Sequence, residues 1–172
     1  AREKFESEDE KQSRLKGFNT ARCIAGGKSR SFAIQSAGKL LAEEIFNKNK
    51  YDQKFIIGLN LYWAEGSKGG NFSFSNTDYR MLQFMITWVN KYLIDKRIVV
   101  IIRIPLNTSI ETCKQYWSEK LKNIEFANHS VSKNTKFEYG VCSLEVRGII
   151  GCKSFIKELM DLNAEYLENI MG

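Results

Sequence analysis

Histidine occurs once in the 172 residues, as His129. One histidine rules out a His-rich metal centre and disfavours a His-centred nucleophilic triad. The four cysteines, Cys23, Cys113, Cys142 and Cys152, stand in no CxxC spacing. That argues against structural zinc and against a thioredoxin-like motif, and favours free thiols in a reducing cytoplasm. No apolar run reaches the roughly 18 to 20 residues that a membrane span requires. The opening AREKFESEDE does not have the order of a signal peptide. No internal repeat is visible, so any two-fold architecture has to come from two chains. The turn EGSKGGN, residues 65–71, lacks the Gly-Lys-Ser/Thr of a P-loop and follows a helix, which leaves a phosphate loop of a small-molecule enzyme as the weakest reading.

A further absence is local. Residues 11–39 contain no acid, yet they hold Lys11, Arg14, Lys16, Arg22, Lys28, Arg30 and Lys39. The whole chain carries a formal charge of +6. A long acid-free basic window suits a polyanion such as nucleic acid; the plainer alternative is a solvated surface segment. Residues 1–50 show no sustained apolar period and are interrupted by Gly26-Gly27, although 32–46 can form a helix with Ile34, Gly38, Leu41 and Ile45 on one side. We read 1–50 as a basic, partly helical N-terminal extension and 51–172 as one α+β domain.

From residue 54 the pattern sharpens. Lys54 to Glu65 reads as a helix apolar on most faces, which implies burial all round. Residues 71–75, NFSFS, alternate as a short strand with Phe72 and Phe74 inward and Asn71, Ser73 and Ser75 outward. Asn76 or Thr77 is expected to cap a helix to Leu93, with Met81, Leu82, Met85, Trp88, Val89 and Tyr92 on its core stripe. RIVVIIRI, 97–104, is a strand ended by Pro105, and Thr108 with Glu111 forms a capping box for a helix through Leu121. Strands over 124–132 and 138–147 and a helix over 152–171 complete the chain. The aromatics Tyr62, Trp63, Trp88 and Trp117 sit on apolar helical stripes and read as core. Helices then pack on one face of a small, mostly antiparallel sheet. Its free face carries Arg97, Arg103, Arg147, Ser73 and Ser75, flanked by the loop lysines Lys133 and Lys136.

The run LNLYWAEGSKGGNFSFSNTD, residues 59–78, resembles the LAGLIDADG family of homing endonucleases, specifically single-motif proteins with GLYWAEGSK followed by a short strand and FSNSDP. YWSEKL at 116–121 and EYGVCSLEVR at 138–147 share the likeness, which spans about 55–160. The resemblance implies a LAGLIDADG-like fold whose motif helix packs against its copy in a homodimer, through Ile57, Gly58, Asn60, Leu61 and Ala64. It implies that Glu65 and Gly66 hold a divalent cation, Mg²⁺ or Mn²⁺, with Lys68 beside them as a catalytic cation. The basic window and the alternation of the strands place double-stranded DNA on Asn71, Ser73, Ser75, Arg97, Arg103, Lys133, Lys136 and Arg147, with Arg14, Lys16, Arg22, Lys28 and Arg30 of the arm, where the likeness is weak. Asn60 stands where the family usually has a glycine at the helix crossing; a buried Asn can fix register by pairing with its two-fold mate. Tyr79 stands where the subgroup often has proline, and only one short strand fits between Gly66 and the next helix. The expected function is a metal-dependent, site-specific DNA endonuclease. The alternatives are a catalytically silent DNA-binding regulator and an RNA-binding protein.

Overall fold

The computed structural model describes residues 8–122, 124–132 and 136–172. Lys133 lies outside the described residues, as do the side chains of Arg14 and Arg22. The chain is α+β: helices α1 (Glu8–Asn49), α2 (Gln53–Glu65), α3 (Tyr79–Tyr92), α4 (Ile110–Lys120) and α5 (Cys152–Met171), with strands β1 (Phe72–Asn76), β2 (Arg97–Pro105), β3 (Phe126–Ser132) and β4 (Val141–Arg147). The sheet order is β1-β4-β2-β3. Both pairings of β4 are antiparallel, while β3 joins β2 in parallel, so the sheet is mixed. The parallel edge follows from α4, which returns the chain to the starting end of β2 before β3 begins.

The stretch expected to be partly helical is a continuous helix that runs through Gly26-Gly27. Its two halves differ. From residue 12 to 34 every described side chain is exposed, and a Cβ on Gly17, Gly26 or Gly27 would meet nothing within 4 Å. From Gln35 onward α1 lies along α5 in the same direction: Gln35 is hydrogen-bonded by Ser154, Lys39 pairs with Glu158, and Phe46 meets Tyr166 edge-on at 6.0 Å. Contact begins backbone to backbone, since a Cβ on Gly38 would lie 2.5 Å from the Gly151 carbonyl oxygen. Gly151, at φ 54°, takes the left-handed conformation that glycine adopts without strain. Ala42 and Phe46 belong to the core.

Helix α2 departs from the expectation of burial all round. Phe55, Gly58, Leu59 and Tyr62 face the core, but Ile57 is 48% exposed and Ala64 is exposed as well. The buried side is an aromatic stack in which Phe55 lies on Trp88 at 5.5 Å and Tyr62 on Phe72 at 4.1 Å. Gly58 makes room for that stack, because a Cβ there would come 2.1 Å from the Trp88 indole. The indole N–H donates to the Phe55 carbonyl at 3.0 Å, satisfying a buried polar group.

Helix starts differ from the sequence expectation by one or two residues. Asp78 caps α3 and Ser109 caps α4, each accepting a backbone N–H of the first turn. Asn76 instead accepts from the N–H groups of Thr77 and Asp78, and Thr108 donates to the Glu138 carbonyl. Asp52 caps α2 through Lys54 and also accepts from the Lys91 ammonium (2.6 Å) and the Tyr92 hydroxyl (2.7 Å). These bonds, the Lys91 ammonium foremost, hold the Asp52 carboxyl down at about 2.

Candidate nucleic-acid interface

The acid predicted as the functional carboxylate closes α2. Glu65 is exposed, and the chain after it is pinned. Gly66 donates its N–H to the Tyr62 carbonyl at 2.7 Å, ending the helix, and pairs with Phe74 in an isolated antiparallel bridge. A Cβ on Gly66 would fall 2.5 Å from the Tyr62 ring, so glycine is needed for this close passage. Ser67 donates its N–H to the Ser73 carbonyl at 2.9 Å, and the Tyr62 hydroxyl donates to the Ser67 carbonyl at 2.6 Å. Burial pushes the Tyr62 hydroxyl well above its ordinary pKa, so it acts as a neutral donor. The carboxylate thus leaves a helix end that is fixed to the outer edge of β1.

Lys68 sits three residues on. Its ammonium donates to the Trp63 carbonyl at 2.6 Å, covering one of the acceptors that every helix leaves free at its C-terminus. Of the residues expected at a dimer interface, Ile57, Asn60, Leu61 and Ala64 fall at i, i+3, i+4 and i+7 on one side of α2, where Ile57 and Ala64 are exposed and Asn60 and Leu61 are half-buried. Met81 and Phe84 of α3 extend that side as a shallow groove of about 380 Å³ with Ile57 and Leu61. Gly58 does not belong to it, because it faces Trp88. Asn60 is already engaged within the chain, since its side-chain oxygen accepts from Asn163 of α5 at 2.8 Å.

The expected DNA-facing residues divide into three groups. Lys16, Lys28 and Arg30 are exposed on the projecting half of α1. Ser73, Ser75, Arg97, Arg103 and Arg147 share the sheet face opposite the helices, with Ser73 beside Glu145 and Arg97 beside Arg147 in the register. Asn71 is exposed just before β1, and Lys136 is exposed after β3. The face is less basic than the sequence suggests. Arg147 pairs with Glu145 at 3.1 Å, Arg97 with Glu125 at 3.0 Å, and Ser75 is hydrogen-bonded to Ser143. Alternation along β2 also places Val99 and Ile101 there.

Among the described residues no three His, Cys, Asp or Glu side chains gather as a metal-binding group. Glu65 exposes its carboxylate, while Gly66, whose carbonyl the resemblance adds as the second donor, is buried. Carboxylate and carbonyl are oxygen donors of the kind hard cations take, and two copies would supply four. His129 is exposed on β3. Cys142 is buried, and its thiol is pushed up to about 12, which leaves it unreactive. No helix among the described residues is long and apolar enough to cross a membrane.

Sequence reasoning placed Trp63 in the core, whereas the structure leaves it 42% exposed at the end of α2. It also passed over Lys153 and Lys157, whose i, i+4 spacing at the start of α5 was the available signal. Comparison with protein-family profiles, curated proteins and solved structures returned no match.

Proposed function

We propose that the chain binds double-stranded DNA as a homodimer joined through the outward side of α2, and cleaves it at a specific site with a divalent cation, Mg²⁺ or Mn²⁺. One observation carries this reading: an exposed carboxylate, Glu65, ends a helix whose outer side carries the exposed Ile57 and Ala64 beside a half-buried Leu61. Two copies packed along that side bring two carboxylates together near the axis. Such a pair repels itself unless a cation lies between. A cation bound there supplies an activated water and charge stabilisation for phosphodiester hydrolysis. The LAGLIDADG resemblance of residues 59–78 supports the same arrangement. The basic arm of α1 and the arginines of the sheet provide the contacts to phosphate.

The second reading is a DNA-binding regulator that does not cut. It is favoured by Lys68, whose ammonium donates to the Trp63 carbonyl and makes no ion pair with Glu65.

The test compares wild type with Glu65→Gln on DNA from the protein's own locus, with Mg²⁺ or Mn²⁺. Site-specific nicks from the wild type alone are expected, with affinity falling log-linearly as salt rises. DNA bound by both proteins and cut by neither selects the regulator. Affinity that does not respond to salt removes DNA as the ligand.

A further inference from the structure

A cavity of about 610 Å³ lies between α1, the end of α2 and the first three turns of α5. It belongs to neither the outward stripe of α2 nor the open sheet face. Its apolar lining is Ile156 and Met160 of α5 with Trp63 of α2. Trp63 is unlike the other two tryptophans: Trp88 and Trp117 are 2% and 1% exposed, each with its indole N–H on a backbone carbonyl. An exposed indole costs the fold apolar burial, and here it faces a concave space.

The charge of the cavity is net positive. Lys68, Lys153 and Lys157 line it against a single carboxylate, Asp161, which is hydrogen-bonded to Lys157. Lys68 is held in place by the carbonyl of Trp63 itself, so the indole and an ammonium group come from one fixed turn. Lys153 forms no ion pair among the described residues. Two positive charges therefore remain uncompensated in a half-enclosed space, where reduced solvation strengthens their pull on an anion. The volume falls in the range of small-molecule sites, roughly 300–1,000 Å³. It suits one nucleotide and excludes a folded duplex.

We propose that this cavity binds a nucleoside phosphate, with the base against Trp63 over Ile156 and Met160 and the phosphate between Lys68 and Lys153. Aromatic side chains stack on any base, and lysine takes phosphate as a point charge. The site lies within one protomer and does not rest on the dimer or on cleavage. A free nucleotide and the terminal nucleotide of a strand present the same chemistry.

The test is calorimetric titration of the full chain with adenosine monophosphate, adenosine, inorganic phosphate and a 5′-phosphorylated oligonucleotide. Adenosine monophosphate is expected to bind once per chain, at least about tenfold tighter than adenosine or phosphate alone. Lys153→Ala should weaken the nucleotide about tenfold and leave adenosine unchanged, whereas Trp63→Ala should weaken both. Both side chains are exposed, and thermal melts of the variants matching wild type show that the fold is intact. Competition by the phosphorylated oligonucleotide identifies a strand end as the source; its absence identifies the free nucleotide. No saturation at millimolar nucleotide overturns the proposal. So does phosphate binding as tightly as the nucleotide, or binding indifferent to both substitutions. The Ile57→Lys variant should retain the affinity, which separates this site from the dimer reading.

Discussion

Both sides of α2 carry apolar residues, and they are put to opposite use. Phe55, Leu59 and Tyr62 disappear into an aromatic stack around Trp88, while Ile57 and Ala64, on the same helix, look outward and Leu61 is half-buried between. Apolarity alone therefore does not say where a helix is buried. The inner side is fixed by a shape requirement, Gly58 beneath an indole, and the outer side meets no such constraint within one chain. Substitutions on the two sides should separate stability from association.

The largest effect is expected inside. Phe55→Ala should lower unfolding stability by about 3–5 kcal/mol, because it empties a ring-sized volume against Trp88 and Tyr92. Urea unfolding measures this. At the start of the helix, Asp52 ties α2 to α3, and its effect depends on pH. Its carboxyl sits at about 2 in the fold against an ordinary 3.8, so the stabilisation is fully present above the ordinary value and is lost as pH falls through about 2. Thermal melts of wild type and Asp52→Asn should differ at pH 6 and converge near pH 2. A constant gap across that range would show that the cap bond to Lys54, and not the charge, holds the junction. The smallest change in stability belongs to the outer side. Ile57→Lys should alter it by no more than about 0.5 kcal/mol, while the solution mass falls from two chains to one. If Ile57→Lys unfolds the protein as Phe55→Ala does, the distinction between the two sides fails.

The sequence made the densest parts of the fold readable. Of the α3 stripe, Leu82, Met85, Trp88, Val89 and Tyr92 are buried as its period implies while Met81 is half-buried on the groove, and α5 begins and ends where its pattern does. Both elements have a core on one side and water on the other, so periodicity reports their surroundings. The first half of α1 has no core to face. No apolar period can mark it, and Gly26-Gly27 looked like a break because glycine's cost in a helix is visible in sequence while its tolerance in a long helix is not. The parallel pairing of β3 with β2 and the ion pairs of Arg97 and Arg147 join residues distant in the chain or set by local rotamer choice, and neither leaves a spacing signal. At the candidate site the helix end at Glu65-Gly66 was legible, because the apolar run stops at that turn. The exposure of Trp63 was not, since it depends on how α1 and α5 pass the end of α2.

The glycine contact between α1 and α5 has a mechanical consequence. Gly38 rests on the Gly151 backbone, and beyond it every described side chain from residue 12 to 30 is exposed, with residue 12 about 39 Å from that seat at 1.5 Å per residue. Such a rod amplifies whatever happens at its seat. A tilt of about 5° where Gly38 meets Gly151 carries the far end through about 3.4 Å, roughly the axial rise of one nucleotide along a strand. A side chain added at either glycine would reset that angle, so the placement of the basic arm is governed by two residues that carry no charge.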